Sequence, residues 1–160
     1  MKRKSDKRAS GGQVLVEVLL MLPVFLLLVF TVMETGHLAF RTILLHHAAY
    51  EVARIGSLTA TAIAAPGCPP PVVSANKLKP VALSFFNNNA AGAPQVSAIA
   101  KPTLQDPQEG CMNYDVEVTL VQRIPMIFPM TGFILSNTKD RRFRVLTAEV
   151  RMPIERPLFK

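Results

Sequence analysis

Residues 14–33 form an apolar run of about 20 residues in which Glu17 is the one charged side chain. A helix of about 20 residues, rising 1.5 Å per residue, reaches roughly 30 Å, the thickness of a bilayer's hydrocarbon core. The apolar region of a cleaved secretory signal is usually shorter, about 7–15 residues, and a small-residue cleavage site follows it. Here the run passes instead into Glu34-Thr35-Gly36-His37-Leu38-Ala39-Phe40. The sequence therefore predicts a helix that spans a membrane and stays with the rest of the chain. Pro23 predicts a kink in that helix rather than its end, because neighbouring groups within a membrane can satisfy the carbonyl that proline frees.

The charge distribution orients the span. Of the net charge of +7, Lys2, Arg3, Lys4, Lys7 and Arg8 against Asp6 place +4 in residues 1–12, which leaves +3 for all the others. A basic cluster directly before an apolar span marks an end retained in the cytoplasm, so the chain beyond the span is expected outside. Nucleic-acid binding would need stacking aromatics or a groove-reading element beside those cations, and residues 1–12 contain neither. No nucleic-acid partner is expected. The lipid bilayer is.

Helical periodicity continues past the span. Leu38, Leu45 and Val52 fall seven apart with Leu44, Ala48 and Ile55 on an adjoining stripe, while His47, Glu51 and Arg54 share another face. One helix from about residue 14 to about residue 57 is expected, half in lipid and half projecting from it, a shape suited to packing beside parallel copies. Pro66-Gly67-Cys68-Pro69-Pro70-Pro71 cannot continue it. Residues 72–108 read as loops with at most one short helix or strand. Two half-buried strands follow: Tyr114, Val116, Val118 and Leu120 alternate with polar residues, as do Leu146, Ala148, Val150 and Met152. The expected fold is α+β, a long N-terminal transmembrane helix extending into a small domain with an antiparallel sheet laid on the helix's upper part. Ile124 to Leu135 is unusually apolar for a connection, and it reads equally as a partner-binding or membrane-surface loop and as a cover for the small core.

Glu17 is costly within an apolar span and should be paired, protonated or functional. It lies five residues after Gly12, and a cut between Gly12 and Gln13 would make Glu17 the fifth residue, one helical turn from the new amine. This spacing resembles the type IV prepilin processing site, where a short basic leader ends in glycine and glutamate stands fifth in the mature chain. The resemblance extends further. Gly12-Gln13-Val14-Leu15-Val16-Glu17, Leu22-Pro23, Met33-Glu34-Thr35-Gly36 and His47-Ala48-Ala49-Tyr50-Glu51-Val52-Ala53-Arg54 together are similar to the N-terminal half of the TadE/TadF-like pseudopilins, minor pilins of the tight-adherence (Flp) pilus systems. Phe143 to Glu155 resembles that family's closing strand. Val18 stands where many members carry an aromatic residue, and major type IV pilins generally start at Phe rather than at a residue such as Gln13.

The resemblance implies a substrate of prepilin peptidase with Gly12 and Gln13 at the scissile bond, and a division into a basic leader (1–12), a transmembrane and stalk helix (13–57) and an extracytoplasmic domain (58–160). It implies other minor pilins, the major Flp pilin and the inner-membrane assembly platform as partners, and surface adhesion as the outcome. Glu17 would neutralise the Gln13 amine of its own chain or a neighbour, or snorkel to the headgroups.

Other motifs carry less. Cys68 and Cys111 are the only cysteines. In an oxidising compartment they are most simply one disulfide closing a loop of about 44 residues, worth about 4 kcal/mol on chain-entropy grounds. A catalytic thiol would need a nearby base, and a metal site more ligands. His46 and His47 diverge by about 100° on a helix, so only His47 faces Glu51 and a polar face is favoured over a metal site. No catalytic triad, phosphate loop or cofactor fingerprint is present, so no enzyme and no cofactor are expected. The alternative of another class is an uncleaved single-pass anchor presenting a periplasmic binding or sensor domain; a membrane-tethered enzyme would need an active-site pocket in residues 58–160.

Overall fold

A computed structural model describes residues 10–60, 70–86, 92–105, 112–137 and 139–154. Cys68 and Cys111, and with them the expected disulfide, lie outside the described residues. One helix, α1, runs from Ser10 to Thr59, about 75 Å at 1.5 Å per residue, and it is continuous across Pro23. Its first half touches little: the side chains of residues 12–26 are all exposed. Partial burial starts at Leu27, and full burial begins at Glu34 and follows the stripe read from the sequence. Leu38, Leu45, Ala48 and Val52 are buried, joined by Ala49, Ala53, Gly56 and Ser57, while Leu44 and Ile55 are partly buried.

The stripe packs against a three-stranded antiparallel sheet in the order β1 (Gln95–Gln105), β2 (Met112–Pro125), β3 (Phe143–Pro153). Val118 pairs with Ala98 on one side and Val150 on the other, and Leu120 pairs with Val96 and Ala148. These inward positions of β2 are fully buried. The small side chains of Ala48, Ala49 and Ala53 and the bare Gly56 let the helix approach the sheet closely. A Cβ at Gly56 would meet Val116 Cγ1 at 3.2 Å and Leu78 Cδ1 at 3.3 Å.

Strands β2 and β3 stand where alternation placed them. The segment expected to be mostly loop instead supplies a helix, α2 (Ala75–Ser84), and the edge strand β1. Leu78, Ala82 and Phe86 fall at i, i+4 and i+8 and close one end of the core. Pro80 and Pro102 pointed away from both elements. Each is tolerated for a reason: α2 is only 10 residues long, and Pro102 lies on an edge strand just before a register shift, where a missing donor costs little. On the outer face of the sheet, Glu117 is held between Lys101 Nζ at 2.6 Å and Arg151 Nη2 at 2.5 Å.

Candidate functional site

Where the bare half of α1 meets the packed half, Glu34 is buried to 0% exposure. A carboxylate there needs donors, and the connection between β2 and β3 supplies them. Phe128 N–H donates to Glu34 Oε2 at 2.9 Å, and Ile127 N–H donates to the same oxygen at 3.1 Å. The Thr131 hydroxyl lies 3.4 Å from Oε2 and 2.8 Å from the Phe128 carbonyl, which takes its single proton. Consecutive amides converging on one anion make a small nest. Below it, the Phe128 ring stacks on Phe30 with centroids 5.4 Å apart and planes 14° apart. Above it, Arg41 Nε donates to His37 Nε2 at 3.4 Å, and His37 Nδ1 lies 3.9 Å from Glu34 Oε1.

The connection is itself tightly built. After β2, Met126 N–H donates to the Arg142 carbonyl at 2.8 Å, and a one-turn helix, α3 (Gly132–Leu135), follows. Gly132 is required there, since a Cβ would stand 1.8 Å from the Arg141 carbonyl oxygen. Met130 sits at φ 68° and Arg141 at φ 48°, both in the left-handed region. The two readings of this apolar segment apply to different parts of it. Ile124, Thr131 and Gly132 are buried in the fold, whereas Ile127, Met130, Phe133 and Ile134 are exposed.

The residues singled out in the sequence lie elsewhere on α1. Gly12, Gln13 and Glu17 are exposed on its first turns, with Gln13 and Glu17 at i and i+4, and a Cβ at Gly12 would meet nothing within 4 Å. The helix already begins at Ser10, so the backbone between Gly12 and Gln13 is helical rather than extended. Pro23 lies six residues beyond Glu17 on the exposed half. His46 and His47 are exposed, and the His47 ring lies 5.6 Å from that of Phe85. A cleft along α2, lined by Asn76, Lys79, Pro80, Leu83 and Ser84, holds one titratable side chain, Lys79. Glu34 figured in the sequence only as a member of two segments, Met33 to Gly36 and Glu34 to Phe40, and not as a site. The signal for its role was available: a carboxylate ending an apolar run must find donors, and the one strongly apolar connection was the place to look.

The helix Gly12–Thr59 is long and apolar enough to cross a membrane. The family described as TadE-like protein matches residues 12–54, the bare half of α1 together with most of its packed half. No curated protein and no solved structure matches the chain.

Proposed function

We propose, from the TadE-like match over residues 12–54, that this chain is a minor pilin of a tight-adherence (Flp) pilus, matured by prepilin peptidase between Gly12 and Gln13. The observation that carries the reading is the division of α1: an exposed apolar half with Glu17 one turn from Gln13, and a polar boundary at Glu34 above which a small domain is fastened. In this reading the basic leader stays in the cytoplasm, the apolar half waits in the inner membrane, and the domain faces the periplasm or exterior. The role is structural. The helix docks beside other pilins at the assembly platform, helping to initiate or assemble the fibre used in surface adhesion.

Cleavage requires the first turns of α1 to unwind, because a protease takes its substrate extended. Gly11 and Gly12 make that inexpensive, since each glycine favours the helix by about 1 kcal/mol less than alanine does. After the cut, Glu17 and the new Gln13 amine convert two costly membrane charges into one hydrogen-bonded pair that sets register between subunits. The helical backbone across Gly12–Gln13 favours a second reading, an uncleaved single-pass anchor presenting a binding or sensor domain. Intact mass and N-terminal sequencing of the membrane-extracted protein, with the peptidase active and inactive, separate the two. A peptidase-dependent start at Gln13 supports the pilin; an unprocessed start in both backgrounds leaves the anchor.

A further inference from the structure

The exposed side of the connection between β2 and β3 carries Ile127 at 59%, Met130 at 64%, Phe133 at 70% and Ile134 at 60% exposure. Four large apolar side chains on one short segment form a patch of the kind that marks an interaction surface. Its height along α1 is fixed. Phe128 stacks on Phe30, and Phe30 lies one turn, about 6 Å, inside the apolar run from Glu34. The segment that carries the patch therefore stands at the outer margin of the apolar run. Amphipathic elements that lie on a bilayer bury their apolar face about 5–10 Å into the headgroup and acyl boundary, the same band.

Charge complements the position. Lys139, Arg141 and Arg142 are exposed on the turn that closes against α3, opposed there by Asp140 alone. The Arg141 guanidinium lies over the Phe133 ring at 4.8 Å, and Arg144 Nη1 donates to the Leu135 carbonyl at 2.5 Å. An apolar tip bordered by cations matches the layering of acyl chain beneath phosphate-bearing headgroups.

We propose that residues 126–135 are a second membrane anchor: Ile127, Met130, Phe133 and Ile134 enter the leaflet on the domain side, and the 139–142 turn rests on its headgroups. Because Glu34 clamps this loop to α1, the two contacts fix how the domain stands on the bilayer. The inference rests on α1 crossing the membrane, and the test separates the two claims.

The chain contains no tryptophan, so a single introduced tryptophan reports its own surroundings. The full chain is placed at one copy per nanodisc, with or without lipids brominated on the upper acyl chain. Phe25→Trp reports the helix, Phe133→Trp the loop and Leu104→Trp the exposed far end of β1, with Ile134→Trp replacing Phe133→Trp should that variant misfold. The expected result is blue-shifted, bromine-quenched emission from Phe25→Trp and Phe133→Trp, and red, unquenched emission from Leu104→Trp. Quenching at Phe133→Trp should weaken when Arg142→Glu is added in nanodiscs containing anionic lipid. If Phe25→Trp is quenched and Phe133→Trp is not, the loop anchor is wrong while the span stands. Blue-shifted but unquenched emission from Phe133→Trp would also overturn it, pointing to a protein surface. An unquenched Phe25→Trp overturns the span itself.

Discussion

Replacing Glu34 tests the fastening of the domain to its helix. The carboxylate accepts from the amides of Ile127 and Phe128, and hydrogen bonds to charged groups contribute about 1.5–3 kcal/mol each. Glu34→Ala removes the acceptor and leaves two partly buried amides without it, each at a cost of about 1–3 kcal/mol. Against this, the variant no longer buries a charge, which returns part of that loss. A net destabilisation of the loop of about 3 kcal/mol results. Glu34→Gln keeps an oxygen for the two amides but loses the charge that strengthens those bonds and puts an amide NH2 where Oε1 was, and is expected to lose about half as much.

Amide hydrogen exchange of the detergent-solubilised protein reads the effect where it occurs. About 3 kcal/mol corresponds to roughly 100-fold faster exchange at Ile127 and Phe128, since about 1.4 kcal/mol is tenfold. Val118 and Leu120, in the central strand, should change far less. Thr35→Ala is the control, because that exposed hydroxyl bonds only back to the Thr31 carbonyl at 2.7 Å. Unchanged exchange at Ile127 and Phe128 in Glu34→Ala, with the fold intact, would falsify the clamp.

Gly132→Ala should destabilise the loop by about 3 kcal/mol or more, because its Cβ would collide with backbone at 1.8 Å, and a lowered melting temperature checks it. The Lys101 hydrogen bond holds the Glu117 carboxyl below the ordinary range, against the opposing effect of its burial and with the charges of Arg151 and Lys101 adding to it. Stability from this carboxylate is thus present above the ordinary carboxylate value and lost as pH falls through the lowered one, so melting curves of wild type and Glu117→Gln should differ at neutral pH and converge in acid. Leu45→Ala should cost about 2–5 kcal/mol in chemical unfolding, since Leu45 is 1% exposed within the core. On the pilin reading, Gly12→Ala should slow peptidase processing on an immunoblot, because alanine holds the first turn of α1 more firmly helical, while the packed domain keeps its melting temperature, nothing lying within 4 Å of the added carbon.

What could be read from the sequence was whatever repeats at short range. The heptad spacing of Leu38, Leu45 and Val52 named the buried face of α1, and alternation named β2 and β3 with their inward residues. Strand β1 escaped because Ala98 and Ala100 are weak inward signals, and because Ile99, the most apolar residue of its centre, points outward opposite Glu117. Helix α2 escaped because Pro80 masked the Leu78, Ala82, Phe86 stripe. The Glu34 clamp joins residues 93 and 94 positions apart, beyond any local period. It was hidden in chemistry rather than pattern: the donors are backbone amides, and every residue except proline supplies the same amide regardless of its letter.

The division of α1 also limits how such chains can assemble. The stripe from Leu38 to Ser57 is covered by the chain's own sheet and α2, as expected of the helix's upper part, and so is not free to meet parallel copies. Side-by-side helix packing is left to the exposed run below Glu34, where Val14, Leu20 and Met21 flank Glu17 on its own face of the helix. Above Glu34, what the domain offers a neighbour is the two outer strands of the sheet, β1 and β3, and the outer surface of α2. On the pilin reading, a fibre of such subunits would take its register from the membrane half and its partner choice from the domain. The clamp transmits one to the other, because a loop bound to Glu34 cannot shift along α1 without exposing the carboxylate.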